Sequence, residues 1–250
     1  MKAEDITFVI TTFKSESIIF DCINSLPESS PKIIVENSGN KLMKEELEKK
    51  YNNLSCFIMD SNLGYGRANN LGIKKSKTDY VFILNPDAKL PKNSLSKIID
   101  IVKDQDFCIA SPLESDKNNI KFNEKKFIDV DFVKGYAMLL NLKKINFGYF
   151  DEKIFLYLEE IDLCKRAINN NQRVLLLNVK IDHAGGFSHG SRDDIEMEKS
   201  RNWHWMWSKF YYNKKHFGYI IAFLKTTPNF LSSFVKVIFY FIFKNKLKQN

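Results

Sequence analysis

Two carboxylates in the sequence follow directly after short apolar segments. Glu36 stands next to Asn37 in a turn-rich stretch, and Asp87 ends the turn Asn85-Pro86-Asp87. A carboxylate such as Glu36 can accept a hydrogen bond from the N–H of a pyrimidine base. A single carboxylate on a rigid turn, such as Asp87, suits Mg²⁺, which takes one or two protein carboxylates and completes its shell with phosphate oxygens and water. Ordinary turns also favour both residue types, and that alternative stays open.

A third acidic cluster, Glu159-Glu160-Ile161-Asp162, opens a segment with helical spacing. The unpaired N–H groups at a helix start favour negative charge, so a structural cap is one interpretation. The other is a general base, because a carboxylate in a water-poor pocket beside acidic neighbours binds its proton more tightly, as deprotonating a hydroxyl requires. His183 ends a later apolar segment and could touch a phosphate or a metal, or pack as a structural histidine.

The elements that must position these side chains alternate between strand and helix periods over the first 110 residues. The pattern predicts strands over 6–10, 32–35, 56–59, 80–84 and 107–110, and helices over 18–26, 42–51, 67–75 and 95–102. Repeated units of this length predict an α/β fold with a mostly parallel central sheet flanked by helices. Ligands then bind at the carboxyl ends of the strands.

The pattern is weaker in the second half of the chain. We expect loops and a short antiparallel piece over 111–132, an apolar segment over 133–142, a helix over 161–170 and a strand over 174–181. The turn after the first strand has no glycine, so a dinucleotide fingerprint is absent, as is a Walker A motif. The four cysteines have no metal-ligand spacing, which favours reduced, buried thiols.

Charge is distributed unevenly along the chain. The net charge is +8, but residues 201–250 hold nine basic and no acidic residues, so they carry +9 and residues 1–200 carry −1. The same C-terminal part holds all three tryptophans and 15 of the 34 aromatic residues. A near-neutral main part disfavours a nucleic-acid partner, whose binding needs basic residues spread over a reading face. A basic, aromatic segment is typical of a membrane surface.

The C-terminal part divides near Gly218. Before it, we expect Trp203, Trp205, Trp207 and other aromatic residues to pack onto a domain formed by residues 1–217. After it, residues 218–250 read as a basic, amphipathic helical tail. No segment reaches the roughly 18–20 apolar residues of a spanning helix, so the tail is expected to lie on a membrane. The N-terminus has no export signal pattern, which predicts a cytoplasmic location at the inner face of the cytoplasmic membrane.

The order of the motifs is more specific than any one of them. Over residues 5–217 they resemble the family 2 glycosyltransferases of GT-A (Rossmann-like) fold, in particular a bacterial rhamnosyltransferase-like branch. The matching segments, in chain order, are Phe8 to Phe13, Val35 to Ser38, Asn62 to Asn70, Leu84 to Asp87, Lys134 to Met138, Gly148 to Glu152, Tyr157 to Arg166 and His183 to Ser188.

The resemblance implies roles for individual residues. Asp87, in an N-P-D form of the family's D-x-D element, would hold a divalent cation (Mg²⁺ or Mn²⁺) together with His183. Glu160 matches the catalytic base of an E-D-x-D motif, with Asp162 as a second candidate. The remaining residues would bind the nucleotide sugar: Thr11, Phe13, Glu36, Asn37, Gly64, Asn70, Asn85, Asp87, Gly135 and Glu159.

The resemblance also implies a reaction. It is an inverting transfer of a sugar, with L-rhamnose from dTDP-rhamnose favoured, from a nucleoside-diphosphate donor to a hydroxyl of a glycan or polyprenyl-linked acceptor in bacterial surface polysaccharide synthesis. The alternative is a non-catalytic nucleotide-sugar-binding protein of the same fold, since fold does not determine function.

Overall fold

A computed structural model describes residues 1–115, 120–185 and 195–247, and within these ranges the side chains of 195–199, 233–234 and 236–247 are not described. The last three residues of the His183 to Ser188 motif therefore lie outside the described residues. Two compact units are present. The first comprises Met1–Phe155 and Glu159–Asp193, and the second comprises Leu156–Leu158 and Asp194–Asn250.

The first half of the first unit alternates strands and helices as the sequence predicts. The elements are β1 (Ile6–Thr12), α1 (Ile19–Asn24), β2 (Lys32–Glu36), α2 (Lys41–Lys50), β3 (Leu54–Ile58), α3 (Tyr65–Lys75) and β4 (Tyr80–Leu84). The four strands pair in parallel in the order β3-β2-β1-β4. Every residue of β1 and β2 is buried, which accounts for their nearly continuous apolar sequences.

The second half adds strands of both directions. Its elements are β5 (Ala88–Lys89), α4 (Ser94–Val102), β6 (Ile109–Glu114), β7 (Phe127–Asp129), β8 (Ala137–Asn141), α5 (Glu159–Asn169) and β9 (Val174–His183). The described strands form one sheet in the order β3-β2-β1-β4-β8-β6-β9-β5, with β7 paired to β9. Strand β8 runs antiparallel to both its neighbours, β4 and β6, while β6 and β9 are parallel. Most strands therefore share one direction, as predicted.

This topology brings the candidate residues to one edge of the sheet. The carboxyl end of β4 at Leu84 lies opposite Ala137, the first residue of β8, because the two strands are antiparallel. The carboxyl ends of β1 and β2 pair at Thr12 and Glu36. The end of β6 at Glu114 pairs with β9 two residues before His183. The residues that follow these strands and the residues that precede β8 therefore meet.

The second unit contains two long helices, α6 (Ile195–Phe217) and α7 (Tyr219–Leu247), with Gly218 between them in a left-handed conformation (φ +85°). The two helices run back along one another, and Lys209 Nζ donates a hydrogen bond to Asn229 Oδ1 at 3.0 Å. No described helix is both long and apolar enough to cross a membrane.

The three tryptophans of α6 are not fully buried. Trp203, Trp205 and Trp207 are 69%, 39% and 49% exposed. Trp203 and Trp207 are four residues apart and share one helical face, whereas Trp205 lies on another face, where its ring meets that of Tyr157 edge to face at 5.7 Å.

Candidate active site

A pair of antiparallel strands brings Asp87 and His183 together although they are far apart in the sequence. Ala88 of β5 pairs with His183 of β9, and the N–H of Ala184 donates to the carbonyl of Asp87 at 3.1 Å. His183 Nε2 lies 3.5 Å from Asp87 Oδ1. Both side chains are largely buried, with 11% and 1% exposure. The end of β9 and the turn after β4 therefore form one cluster.

His183 is fixed on its other side by a residue that the sequence did not single out. Its Nδ1 lies 2.9 Å from Glu114 Oε1, and Glu114 Oε2 accepts a hydrogen bond from Lys134 Nζ at 2.8 Å. The imidazole stacks on the ring of Tyr136 with centroids 4.4 Å apart. Burial alone would lower the pKa of His183, but the carboxylates of Asp87 and Glu114 outweigh burial and raise the pKa.

The cluster has the donor types that a hard divalent cation uses. Asn85 Oδ1 and His183 Nε2 are buried and have no hydrogen-bond partner among the described residues. Amide oxygen, carboxylate and imidazole are all established ligand types for Mg²⁺ or Mn²⁺. Within the described ranges no group of three or more His, Cys, Asp or Glu side chains encloses a metal position. A cation here would therefore complete its shell with substrate oxygens and water, as Mg²⁺ commonly does.

The acidic residues Glu159 and Glu160 lie in the first turn of α5. Burial raises the pKa of Glu159 well above its usual range, and the neighbouring charge of Glu160 raises it further. Burial also raises the pKa of Glu160, which is half-buried, although the N–H groups at the helix start oppose this shift. The pair therefore holds its protons more tightly than exposed carboxylates do, as a general base requires.

Residues 134–136, which we call the central segment, lie next to both the cluster of Asp87 and His183 and the acidic first turn of α5. An added Cβ on Gly135 would lie 3.5 Å from Glu160 Cβ, an ordinary van der Waals distance, so the two residues lie side by side. The carbonyl of Gly135 accepts a hydrogen bond from the Tyr65 hydroxyl at 2.6 Å. The carbonyl of Tyr136 accepts one from the N–H of Asn85 at 2.8 Å. The central segment therefore links the base candidate to the turn that carries Asp87.

Of the two candidate bases, the geometry favours Glu160. Asp162 is fully buried, and its Oδ2 accepts a hydrogen bond from Arg166 Nε at 2.8 Å. Arg166 in turn donates to the carbonyls of Phe147, Gly148 and Tyr149. The carboxylate of Asp162 therefore orients an arginine that holds the loop before α5, whereas Glu160 remains partly exposed.

Glu36 is bound within its own turn. One carboxylate oxygen accepts hydrogen bonds from the N–H and the hydroxyl of Ser38, and the other accepts the N–H of Asn40 at 2.6 Å. These bonds favour the interpretation of Glu36 as a turn acid. The side chain of Asn37 reaches the loop before α3, with contacts of 3.4 Å to the carbonyl of Gly64 and to the N–H of Leu63.

Gly64 and Asn70 hold the loop that leads to α5. Gly64 precedes α3 with a φ of +78°, and an added Cβ would lie 2.4 Å from the carbonyl oxygen of Phe155, so the position requires glycine. The Asn70 amide donates to the carbonyl of Phe150 at 2.8 Å and accepts its N–H at 3.0 Å. Both residues therefore position the acidic turn indirectly.

The two remaining candidates lie at the carboxyl end of β1, Thr11 within the strand and Phe13 directly after it. Thr11 Oγ1 donates a hydrogen bond to Asn69 Oδ1 at 3.0 Å, which ties the end of β1 to α3. The N–H of Phe13 donates to Ser15 Oγ at 3.1 Å, and its half-buried ring lies under Lys14 Nζ at 5.6 Å. Both residues lie at the same sheet edge as the acidic clusters, because β1 and β4 are parallel.

Residues 7–164 match the family model described as Glycosyl transferase family 2. The chain belongs to glycosyl transferase family 2. The match runs from the second residue of β1 through β8 to the acidic turn of α5 and includes the turn that carries Asp87, whereas β9 with His183 lies beyond it. It confirms the family that the ordered motifs predict.

Two relatives can be compared with this family 2 chain. It is 24% identical over 195 residues to the low-salt glycan biosynthesis hexosyltransferase Agl10 of Haloferax volcanii, covering 67% of this chain and 63% of that protein. It is 25% identical over 212 residues to the rhamnosyltransferase WbbL of Escherichia coli K12, covering 69% and 78%. The chain thus spans less than two thirds of Agl10.

A solved structure supports the fold of this family 2 chain. The mannosyltransferase PcManGT from Pyrobaculum calidifontis, in complex with GDP-Man and Mn²⁺, superposes with a TM-score of 0.64 at 14% identity, covering 81% of this chain and 62% of that one. At this identity the likeness concerns the fold alone. It confirms the predicted GT-A fold.

Sequence reasoning missed three residues of this family 2 site. Tyr65 lies inside the motif Asn62 to Asn70, and Tyr136 lies inside the motif Lys134 to Met138. These motifs could have indicated both tyrosines as site residues. Glu114 ends a strand in a stretch without a recognisable pattern, and its contact with His183 joins residues 69 positions apart. Nothing in the local sequence predicts that contact.

We predict that Arg166→Met destabilises the protein by about 3–5 kcal/mol, because it leaves the buried carboxylate of Asp162 without its cation. Urea unfolding followed by circular dichroism measures the change. The matched control is Arg173→Met, which breaks the exposed pair with Asp129 and should cost under about 1 kcal/mol. Equal small losses of stability in both variants would show that the pair of Arg166 and Asp162 does not stabilise the fold.

Proposed function

We propose that the chain is an inverting glycosyltransferase that moves a sugar from a nucleoside-diphosphate donor to an acceptor hydroxyl. The observation that carries this proposal is the contact of the central segment with both clusters. Gly135 packs against Glu160, and Tyr136 contacts both Asn85 and His183. A base that takes the proton of the acceptor hydroxyl and a cation that neutralises the donor's leaving diphosphate act in the same transition state, on opposite sides of the anomeric carbon, so they need this proximity.

The donor end of the site would be Asp87, Asn85 and His183, which would hold Mg²⁺ or Mn²⁺. When bound there, the cation would neutralise the charge that develops on the leaving diphosphate. The donor set supports this assignment, since two of its buried polar atoms lack hydrogen-bond partners among the described residues. The complex of PcManGT with GDP-Man and Mn²⁺ is consistent with it.

The acceptor end would be Glu160. Its carboxylate would remove the proton of the acceptor hydroxyl as that oxygen attacks the anomeric carbon from the face opposite the leaving group, and one displacement inverts the configuration. Glu159 lies beside it with its Oε2 buried and without a hydrogen-bond partner in the described part of the chain. Burial raises the pKa of both groups, which makes them stronger proton acceptors than exposed carboxylates.

The relatives indicate the substrate class. One is named a rhamnosyltransferase and the other a hexosyltransferase of glycan biosynthesis. These names support a deoxyhexose or hexose donor, with dTDP-L-rhamnose favoured by the N-P-D form of the cation turn, and a glycan or polyprenyl-linked glycan as acceptor.

We predict that Glu160→Gln lowers kcat by about 10²–10⁴-fold and leaves nucleotide affinity unchanged, because the amide cannot accept the proton. The measurement is release of dTDP from dTDP-rhamnose with Mn²⁺ and a polyprenyl-diphosphate glycan. In the unchanged protein, activity should fall as the pH drops through the raised pKa of Glu160, since only the ionised carboxylate is a base. Glu46→Gln, at an exposed residue of α2, is the matched control. Full transfer by a folded Glu160→Gln variant would overturn the role.

A second proposal concerns location, and α7 carries it. Several of its exposed residues are large and apolar, with exposures of 65% for Phe223, 65% for Leu224 and 78% for Ile220. Among the α7 residues whose side chains are described, the buried ones are small: Ala222 and Thr226, which share a helical face with Asn229, the contact of Lys209 on α6. This pattern reverses that of an ordinary surface helix and suits burial in a lipid interface beside lysines. The protein would then work as a peripheral enzyme on the cytoplasmic membrane.

We predict that the full-length protein floats with vesicles containing anionic lipids. Replacing Ile220, Phe223 and Leu224 together by serine should reduce the floated fraction at least tenfold, because burying each of these side chains contributes about 1.5–3 kcal/mol. Replacing Leu42 of α2, an apolar residue that is 78% exposed, by serine is the control for the loss of an exposed apolar side chain elsewhere. Equal flotation of the apolar variant and the unchanged protein would rule out α7 as the anchor.

A further inference from the structure

Glu114 is a largely buried acid, and its two carboxylate oxygens contact different groups. Its side chain is 14% exposed, and it ends β6 next to β9. Oε1 lies 2.9 Å from His183 Nδ1, and Oε2 accepts a hydrogen bond from Lys134 Nζ at 2.8 Å. The lysine holds the carboxylate in place, and the carboxylate contacts the histidine.

These contacts determine which nitrogen of the imidazole carries the proton. An ionised carboxylate only accepts hydrogen bonds, so the Nδ1 of His183 must be the donor in its contact with Glu114. In the neutral ring the lone pair is then on Nε2, the atom that faces Asp87 Oδ1 at 3.5 Å. Stacking on Tyr136 fixes the plane of the ring.

We propose that Glu114 is a positioning residue that sets the tautomer and the orientation of His183, so that Nε2 is available to a divalent cation beside Asp87. This inference rests on the proposed function, which assigns the cation to Asp87 and His183. Carboxylates that hold a metal-binding histidine through its other nitrogen typically raise metal affinity by about 10–100-fold.

The geometry distinguishes this role from two others. If Glu114 were a direct ligand, it would need an oxygen directed at the cation, whereas its two oxygens contact His183 and Lys134. If Glu114 served only to pair with Lys134, its contact with the imidazole would have no effect on the ring. Each role predicts a different result when the carboxylate is removed.

The first test measures Mn²⁺ binding to the full chain by the electron paramagnetic resonance signal of free Mn²⁺, without donor or acceptor. We expect Glu114→Ala to weaken binding about 10–100-fold and Glu114→Gln, which keeps an acceptor oxygen, to weaken it less. Asp129→Ala is the matched control, because it removes a carboxylate that pairs with Arg173 and lies opposite Leu175, at the other end of β9 from His183. This control should leave Mn²⁺ affinity within about twofold of the unchanged protein.

The second test reads the histidine itself. In ¹⁵N-correlated spectra recorded without metal, at a pH high enough for the ring to be neutral, His183 should show a protonated Nδ1 and an unprotonated Nε2 in the unchanged protein, and a mixture of tautomers in Glu114→Ala. A purely structural role would leave this signature unchanged, and thermal unfolding of the same samples shows whether the variant is folded.

The outcomes separate the inference from the proposed function. Unchanged Mn²⁺ affinity and an unchanged tautomer in a folded Glu114→Ala variant would overturn the role of Glu114 while His183→Ala still loses Mn²⁺. A loss as large as that of Asp87→Ala would also overturn it, because Glu114 would then be a ligand. Absence of Mn²⁺ binding by the unchanged protein would refute the cation assignment and this inference together.

Discussion

The arrangement of the site depends on one constraint: β8 enters the sheet antiparallel between β4 and β6. Its amino end therefore lies at the edge where the neighbouring strands finish. The central segment that leads into β8 must pass between the turn of Asp87 and the acidic turn of α5. Gly135 lies beside Glu160, and the carbonyl groups of Gly135 and Tyr136 accept hydrogen bonds from Tyr65 and Asn85. The central segment thus fixes the distance between Glu160 and the turn that carries Asp87.

The acids of α5 are retained at a cost in stability. Glu159 is 5% exposed and Glu160 is half-buried, and bringing two carboxylates out of water side by side raises the pKa of each. The backbone before them is also unfavourable, since Tyr157 and Leu158 have φ values of 70° and 69°. The surrounding contacts offset these costs: Asn70 binds the loop at Phe150, and Asp162 orients Arg166 against the same loop. Such concentrated strain is typical of a functional site.

The local sequence was sufficient to predict an element where burial alone determined its residue types. The apolar segments predicted β1, β2 and β4 to within two residues, because parallel strands buried on both faces carry nearly continuous apolar sequence. The start of α3 was predicted two residues late, since its cap is Gly64, whose positive φ has no side-chain signature. Glu36 was read as either a turn acid or a base contact, and its bonds to Ser38 and Asn40 support the first. The contact of Glu114 with His183 depends on the pairing of β6 with β9, which no local pattern encodes.

The central claim is that one site, built around the central segment, holds both the cation and the general base. Its most direct test is an anomalous difference map from crystals grown with dTDP and Mn²⁺. The account predicts a single manganese peak beside Asp87 and His183, with the diphosphate of the nucleotide on the side of the central segment that faces Glu160. A manganese peak or a nucleotide bound away from the central segment would contradict it.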